Sequence, residues 1–319
     1  MDTKKVVAGV DVGGTHTKIG FADKDGNIFS ERTLLTRDYK VFDEFIKALS
    51  ATIEQMKNNI AGIELVGIGV GAPNGNYYKG TIAFAPNLPW EEHLQFVDKL
   101  KAFYPSIPII LTNDANAAAI GEMVYGGAKG MKDFLLVTLG TGLGSGFVAN
   151  GKMIYGHDSF AGELGHVIVE RNGRQCGCGR KGCLETYVSA TGICRTVFEL
   201  LANTTYPSAF RDKEFSKIES KDIAKAAEEG DKIAQEAFEI TGRMLGEALA
   251  DAVTITSPET IFLFGGLAKA GKLIMEPTKK AMEENMLNIW KNKIKLQFSE
   301  LQDKDVAVLG AAALAWETI

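Results

Sequence analysis

The amino-acid sequence predicts an α/β protein built from two similar halves, and three observations lead there. First, 319 residues with 45% hydrophobic content exceed what a single core of roughly 250–300 residues comfortably holds, so two cores are expected. Second, an apolar run that ends in a glycine turn occurs twice, at residues 6–15 and 134–142. Third, helical and strand periodicities alternate along the chain with no linker or low-complexity segment between them.

In the first copy Val6-Val7-Ala8-Gly9-Val10-Asp11-Val12 reads as a strand and Gly13-Gly14-Thr15 as the turn. A second strand at 18–22 and the polar turn Asp25-Gly26-Asn27 lead into a third. The second copy repeats the order: a strand at 134–139, the turn Gly140-Thr141-Gly142, a strand at 146–149, and the turn Asn150-Gly151-Lys152. Between the copies Val41, Phe42, Phe45, Ile46, Leu49, Ile53 and Met56 recur at helical spacing, 65–70 and 108–112 read as strands, and 115–124 as a helix. Further on, Ile233, Ala237, Thr241, Met244, Leu245, Ala248 and Leu249 mark a long helix in which Gly242 and Gly246 allow a neighbour to come close. A strand at 260–264, a helix near 273–286, a strand at 294–298 and a last helix from Val306 complete the alternation.

Composition excludes several classes of function. The formal net charge of −5 is mild, and no stretch clusters Lys or Arg with aromatics as a nucleic-acid groove requires. The apolar run at 6–10 is too short for a signal peptide, and no later run approaches the roughly 20 apolar residues of a membrane helix. A cytoplasmic protein with reduced thiols is expected. Three of the four cysteines fall within 176–183, which favours metal binding over disulfides.

Asp11-Val12-Gly13-Gly14-Thr15-His16-Thr17-Lys18 has the composition of a phosphate cradle, with glycines that let backbone N–H groups approach an anion beside hydroxyls and a lysine. It lacks the Gly-Lys-Ser/Thr ending of a Walker loop, and a strand follows it where a dinucleotide site requires a helix. Gly140-Thr141-Gly142-Leu143-Gly144-Ser145-Gly146 is similar. Taken singly, either segment reads equally well as a tight hairpin turn. Two copies, with the pair Gly265-Gly266 after a third strand, weaken that alternative.

His166, Cys176, Cys178 and Cys183 offer one imidazole and three thiolates, the ligand set of a closed tetrahedral zinc site. The competing reading is a group of unliganded buried thiols. Four protein ligands leave no open position, so the expected task is to fix a loop. Cys194 stands apart and reads as a packed thiol. Asn113-Asp114 falls at a strand-to-helix junction, where α/β proteins present ligand-binding groups. From position alone Asp114 also reads as the helix N-cap. Glu163 and His166 are three apart, so one turn can present both, with His166 using its second ring nitrogen on the metal. His16 and His157 read as turn or surface residues, as does His93, which follows Glu91-Glu92 on an apparent helix.

With these motifs in order the chain resembles the ROK family (repressors, open reading frames and sugar kinases) of the actin-like ATPase superfamily. The resemblance rests on Asp11-Val12-Gly13-Gly14-Thr15, Gly69-Val70-Gly71-Ala72-Pro73, Pro86-Asn87-Leu88, Asn113-Asp114-Ala115-Asn116-Ala117, Gly140-Thr141-Gly142-Leu143-Gly144, Glu163-Leu164-Gly165-His166, the cysteine loop through Gly182-Cys183-Leu184-Glu185, and Gly265-Gly266. It implies two actin-like (ribonuclease H-like) domains with a cleft between them, expected as 1–114 plus 305–319 and 115–304. It implies an ATP-dependent hexose kinase in which Asp114 takes the proton from the sugar hydroxyl. Gly71, Asn87, Asn113, Asp114, Glu163, His166 and Glu185 would bind sugar. Asp11, Gly13, Gly14, Thr15, Lys18, Thr141, Gly142, Gly265 and Gly266 would bind nucleotide, with Mg2+ on the phosphates and structural zinc on His166, Cys176, Cys178 and Cys183.

Pro86-Asn87-Leu88-Pro89-Trp90 with Glu185 is similar to the glucokinases of the family, which makes glucose the expected acceptor. N-acetylmannosamine, N-acetylglucosamine, fructose and allose kinases, and a non-catalytic sugar sensor, stay open alongside it. Many members follow Gly-x-Pro with glycine; here Asn74 stands there, a residue that tolerates positive φ. Family repressors carry a helix-turn-helix before the first glycine turn, whereas ten residues precede Asp11. A homodimer or homotetramer without nucleic-acid or membrane partners is the expected state.

Overall fold

The computed structural model describes residues 3–85, 87–90, 93–301 and 306–319. Pro86 of the proline-asparagine motif, Glu91, Glu92 and the expected boundary near 304–305 lie outside the described residues. The chain divides into two compact units: Met1–Met131 with Lys152–Gly162 and Glu300–Ile319, and Lys132–Gly151 with Glu163–Ser299.

In the first unit β1 (Lys4–Val12), β2 (Thr17–Ala22) and β3 (Ile28–Leu34) form an antiparallel meander. Helix α1 (Phe42–Asn58) then returns the chain to β4 (Ile63–Ala72), parallel to β1. A small antiparallel sheet of β5 (Gly75–Asn76), β6 (Thr81–Ala83) and β7 (His93–Leu94) follows. His93 therefore sits in a strand opposite Ala83 and not in a helix; the helix α2 (Phe96–Lys101) begins only after Gln95. Strand β8 (Ile109–Asn113), parallel to β4, runs into α3 (Asp114–Tyr125). The main sheet has the order β3-β2-β1-β4-β8.

Both faces of this sheet are covered, which explains why β1 reads as a continuous apolar run. Val6, Ala8, Val10 and Val12 share a core with Phe45, Ile46, Leu49, Ile53 and Met56 of α1. Val7 and Ala22 belong to a second core with Leu309, Ala312 and Ala315 of the C-terminal helix, α8 (Val306–Trp316). Gly9 and Gly69 are glycine because α8 lies directly on the strands: a Cβ at either position would run into the carbonyl of Val308 or Ala311. Helix α3 packs on α8 at Gly121 and Gly310 by the same device.

The second unit repeats the plan. Strands β9 (Phe134–Leu139) and β10 (Leu143–Ala149) are antiparallel, and the chain turns at Asn150 and Gly151, both with positive φ (52° and 70°), into β11 (Lys152–Met153), the edge strand of this sheet, which opens the 152–162 segment grouped with the first unit. Helices α4 (Ala190–Asn203), α5 (Ser220–Glu228) and α6 (Lys232–Thr256) come next. Strand β12 (Thr260–Phe264) lies parallel to β9, and after α7 (Lys272–Asn285) β13 (Lys295–Phe298) lies parallel to β12. The order is β11-β10-β9-β12-β13, the first sheet's topology again. The echo between 6–15 and 134–142 is thus a duplication of the whole sheet. Gly242 and Gly246 let α6 meet α7 closely, since a Cβ there would strike Pro277 or the Thr278 carbonyl. Among the described residues no helix is long and apolar enough to cross a membrane.

Candidate active site

Three parallel strands of the first unit end side by side, and the predicted residues ride on those ends. Pairing sets Asp11 opposite Gly71, Gly71 opposite Thr112, and Ala72 opposite Asn113. The row is specified because a one-residue slip would turn Ile68 and Val70 to the face where the helices pack against Gly69 and Gly71 with no room for a side chain. Gly71 is buried, and a Cβ on it would meet Ala117 Cβ at 3.2 Å and Asp114 Cα at 3.6 Å, so glycine lets α3 start close against β4.

Asn113, not Asp114, caps that helix. The Asn113 backbone is extended and its Oδ1 accepts the Ala115 N–H at 2.9 Å. Asp114 is already the first helical residue, and its Oδ1 shares the same N–H at 2.8 Å. The cap moves one residue upstream because β8 keeps Asn113 in the extended conformation an N-cap requires. The Asp114 carboxylate keeps accessible surface, yet the protein packed around it desolvates it. Burial raises its pKa above the ordinary carboxylate value, against the opposing N–H bonds of Ala115 and of Asp114 itself.

The glycine turn of this unit is closed by Gly13 N–H donating to the His16 carbonyl at 3.0 Å. A Cβ on Gly14 would enter the Asn87 carbonyl, so the loop carrying Asn87 rests directly on the turn. Asp11 and Lys18 face each other across β1 and β2, while Thr15, Lys18 and Asn87 are exposed. Asn74 adopts φ 52° as its residue type suggests, and its Nδ2 donates to the carbonyls of Ala83 at 3.0 Å and Phe84 at 3.2 Å. His16 and His157 are exposed.

In the second unit the turn after β9 is closed by Gly140 N–H donating to the Gly142 carbonyl at 3.0 Å. Phe264 pairs with Thr138, so Gly265 and Gly266 leave the sheet at the same edge. Gly265 has φ 104°, and a Cβ would meet the Leu139 backbone at 2.7 Å. Beside the turn, Glu185 Oε2 accepts the Leu143 N–H at 3.0 Å while Oε1 lies 4.0 Å from Cys176 Sγ. Glu163 directly precedes the single 3-10 turn Leu164–His166, closed by His166 N–H on the Glu163 carbonyl at 3.0 Å. The two residues share one turn, as their spacing predicts, and Leu164 N–H binds Ser145 Oγ at 3.2 Å to hold that turn on β10.

His166, Cys176, Cys178 and Cys183 converge, their ligand atoms all within 4.8 Å of one another. Cys176 Sγ is 3.8 Å from His166 Nδ1 and Cys178 Sγ 3.6 Å from Cys183 Sγ. A tetrahedral ion with bonds of about 2.3 Å to sulfur separates its ligands by about 3.8 Å, so the cluster fits a soft metal ion, and His166 meets it through Nδ1. Burial pushes the Cys183 thiol up to about 12, with the neighbouring thiols adding to it. Burial also opposes ionisation of Cys178, but hydrogen bonds from the Arg180 backbone and side chain bring it down to about 6. Cys194 is a buried thiol on the Ile218 carbonyl at 3.5 Å, raised by burial to about 11.

Sequence reasoning missed the residues that hold these groups in place. Arg180 Nη2 binds the His166 carbonyl at 2.7 Å, and Arg174 and Thr191 fasten the Glu185 segment. A single Arg in a loop, or a single Thr in the first turn of a helix, carries no local signature. Arg174, two residues before Cys176, could have been suspected only from its neighbours.

Two α/β units of equal strand order, each with a glycine turn at the ends of its central strands, define an actin-like ATPase fold suited to holding phosphates. The chain belongs to the ROK family, whose profile matches residues 7–318. It is 33% identical over 316 residues to a glucokinase of Streptomyces coelicolor, covering 97% of each chain. It is 36% identical over 288 residues to a glucokinase of Halalkalibacterium halodurans, covering 86% of this chain and 84% of that one. The solved structure of a ROK family glucokinase from Streptomyces griseus, in complex with glucose and AMPPNP, superposes with a TM-score of 0.81 at 32% identity, over 98% of this chain and 99% of that chain.

Proposed function

We propose that this ROK protein is an ATP-dependent hexose kinase that transfers the γ-phosphoryl group of ATP to the 6-hydroxyl of glucose. The observation that supports this most is the full-length likeness to glucokinases, one of them solved with glucose and AMPPNP, joined to a carboxylate at the start of α3 in the row of strand ends.

In this reading the sugar's 6-oxygen attacks the γ-phosphorus, its proton passes to the Asp114 carboxylate, and ADP leaves. Phosphoryl transfer is largely positioning and charge stabilisation, so a carboxylate suffices as base. Gly71, Asn87 and Asn113 with Asp114, and Glu163, His166 and Glu185, take the sugar hydroxyls. The turns at Gly13, Gly14, Thr15, Thr141 and Gly142, with Lys18, take the phosphates, and Gly265-Gly266 the adenosine side. A magnesium ion on the phosphates would meet Asp11 through water and neutralise charge. Zinc on His166, Cys176, Cys178 and Cys183 would fix the loop that carries Glu185 and leave His166 Nε2 for the sugar. A cytoplasmic location suits the reduced cysteine cluster.

The test is a coupled ADP-release assay over glucose, N-acetylmannosamine, N-acetylglucosamine, fructose and allose. The highest kcat/KM on glucose is expected. Preference for another hexose would move the acceptor assignment, and turnover on none would make the protein a sugar sensor.

A further inference from the structure

Residues 185–192 touch the second glycine turn at three points. Leu143 N–H donates to Glu185 Oε2 at 3.0 Å, Ala190 N–H to the Gly140 carbonyl at 2.8 Å, and the Thr191 hydroxyl to the Thr141 carbonyl at 2.9 Å. The hydroxyl is not needed to cap α4, because Ser189 Oγ already accepts the Gly192 N–H at 2.9 Å.

One guanidinium brackets this segment. Arg174 Nη1 donates to the Thr186 carbonyl at 2.7 Å and the Gly192 carbonyl at 3.1 Å. Nη2 reaches Thr196 Oγ1 at 2.9 Å and, with Nε, forks onto the Glu199 carboxylate at 2.6 and 2.8 Å. The group lies 4.3 Å over the Tyr187 ring, and its side chain is only 10% exposed. A lysine offers one point charge and cannot reproduce that fork.

We propose that Thr191 and Arg174 are positioning residues that bind the Gly140–Leu143 turn and the Glu185 carboxylate into one element, so that sugar on Glu185 raises the affinity of the turn for nucleotide. This rests on the proposed kinase reading. The physical link is a single carboxylate: Oε2 holds the Leu143 N–H, so a sugar hydroxyl that fixes Glu185 also fixes the turn, whose Gly140 and Thr141 carbonyls are already held. The coupling is reciprocal, so nucleotide tightens sugar by the same factor.

Calorimetry with AMPPNP and glucose, each alone and together, tests it on the full-length protein. In the wild type glucose should tighten AMPPNP. Thr191→Val should weaken AMPPNP about five-fold, the size of one neutral hydrogen bond, and reduce the coupling, while glucose alone binds within about two-fold of wild type. Thr191→Ser, which keeps the hydroxyl, should restore both. Arg174→Lys should lose glucose affinity and coupling together at unchanged metal content per chain. Hydrogen exchange of the peptide covering 139–144 should speed up in Thr191→Val and Arg174→Lys and stay slow in Thr191→Ser. Wild-type coupling and exchange in Thr191→Val would overturn the proposal while leaving the kinase reading intact. Absence of turnover on every hexose would overturn the kinase reading instead, and the exchange comparison would still decide whether Thr191 and Arg174 hold the turn.

Discussion

Gly142→Ala places a methyl group against the Glu185 carboxylate. The new Cβ would lie 3.2 Å from Glu185 Cδ and deep inside the contact radius of Oε2, whereas non-bonded atoms prefer about 3.5–4.0 Å. Relief requires the carboxylate to retreat by about 1 Å, which breaks its bond to the Leu143 N–H, now 3.0 Å. Glu185 is half-buried, so it can swing aside at little cost to the fold. The consequence falls on function: losing a hydrogen bond to a charged group costs about 1.5–3 kcal/mol, and a 1 Å misplacement in a site can cost about 100-fold. The glucose KM should therefore rise about 10- to 100-fold, with the thermal midpoint lowered by no more than about 4 °C. Steady-state kinetics and a calorimetric melt measure the two, and shortening the acid with Glu185→Asp in the Gly142→Ala background should recover part of the loss. A wild-type glucose KM in Gly142→Ala would refute the idea that Glu185 must stand where the glycine leaves room.

Asp114→Asn should lower kcat by about 100-fold or more while calorimetry still detects glucose. Because burial raises the Asp114 pKa, the acid limb of kcat/KM should lie above the ordinary carboxylate range. A raised carboxylate pKa favours the folded state at low pH, and that contribution is lost as pH rises through the folded value; Asp114→Asn should accordingly melt no lower than wild type at neutral pH. Chelating the metal, or Cys183→Ser, should lower the thermal midpoint and raise the glucose KM together, and an unchanged KM would separate the cluster from the sugar site. Gly69→Ala drives a Cβ into the Ala311 carbonyl; backbone cannot yield as a side chain does, so a loss of about 1–3 kcal/mol or more is expected in chemical denaturation.

Much of the fold is readable from the chain because its signals are local. The run from Val6 to Val12 is apolar at every position except Asp11, and glycine turns, paired polar turns and helical spacing in 42–56 and 233–249 depend only on near neighbours. The cysteine cluster is equally local, three cysteines within eight residues. Glu91-Glu92-His93 reads as helical in composition, whereas pairing with β6 puts His93 in a strand. The cap at Asn113 was shifted by one residue because strand and helix meet there, and propensity does not resolve which of two adjacent side chains stays extended.

By itself the amino-acid order determined that there are two strand-turn-strand repeats and that three cysteines share one short segment with a histidine upstream. Tertiary structure alone decided that Asp11, Gly71 and Thr112 end in one row with Asn113 one step beyond, that Asn87 leans on Gly14, and that Glu185 divides its carboxylate between a cysteine of the Cys-His cluster and a glycine turn. The reason is physical: strand register and backbone contact between segments far apart in the chain are set by how whole cores close, and no window of neighbouring residues contains that information.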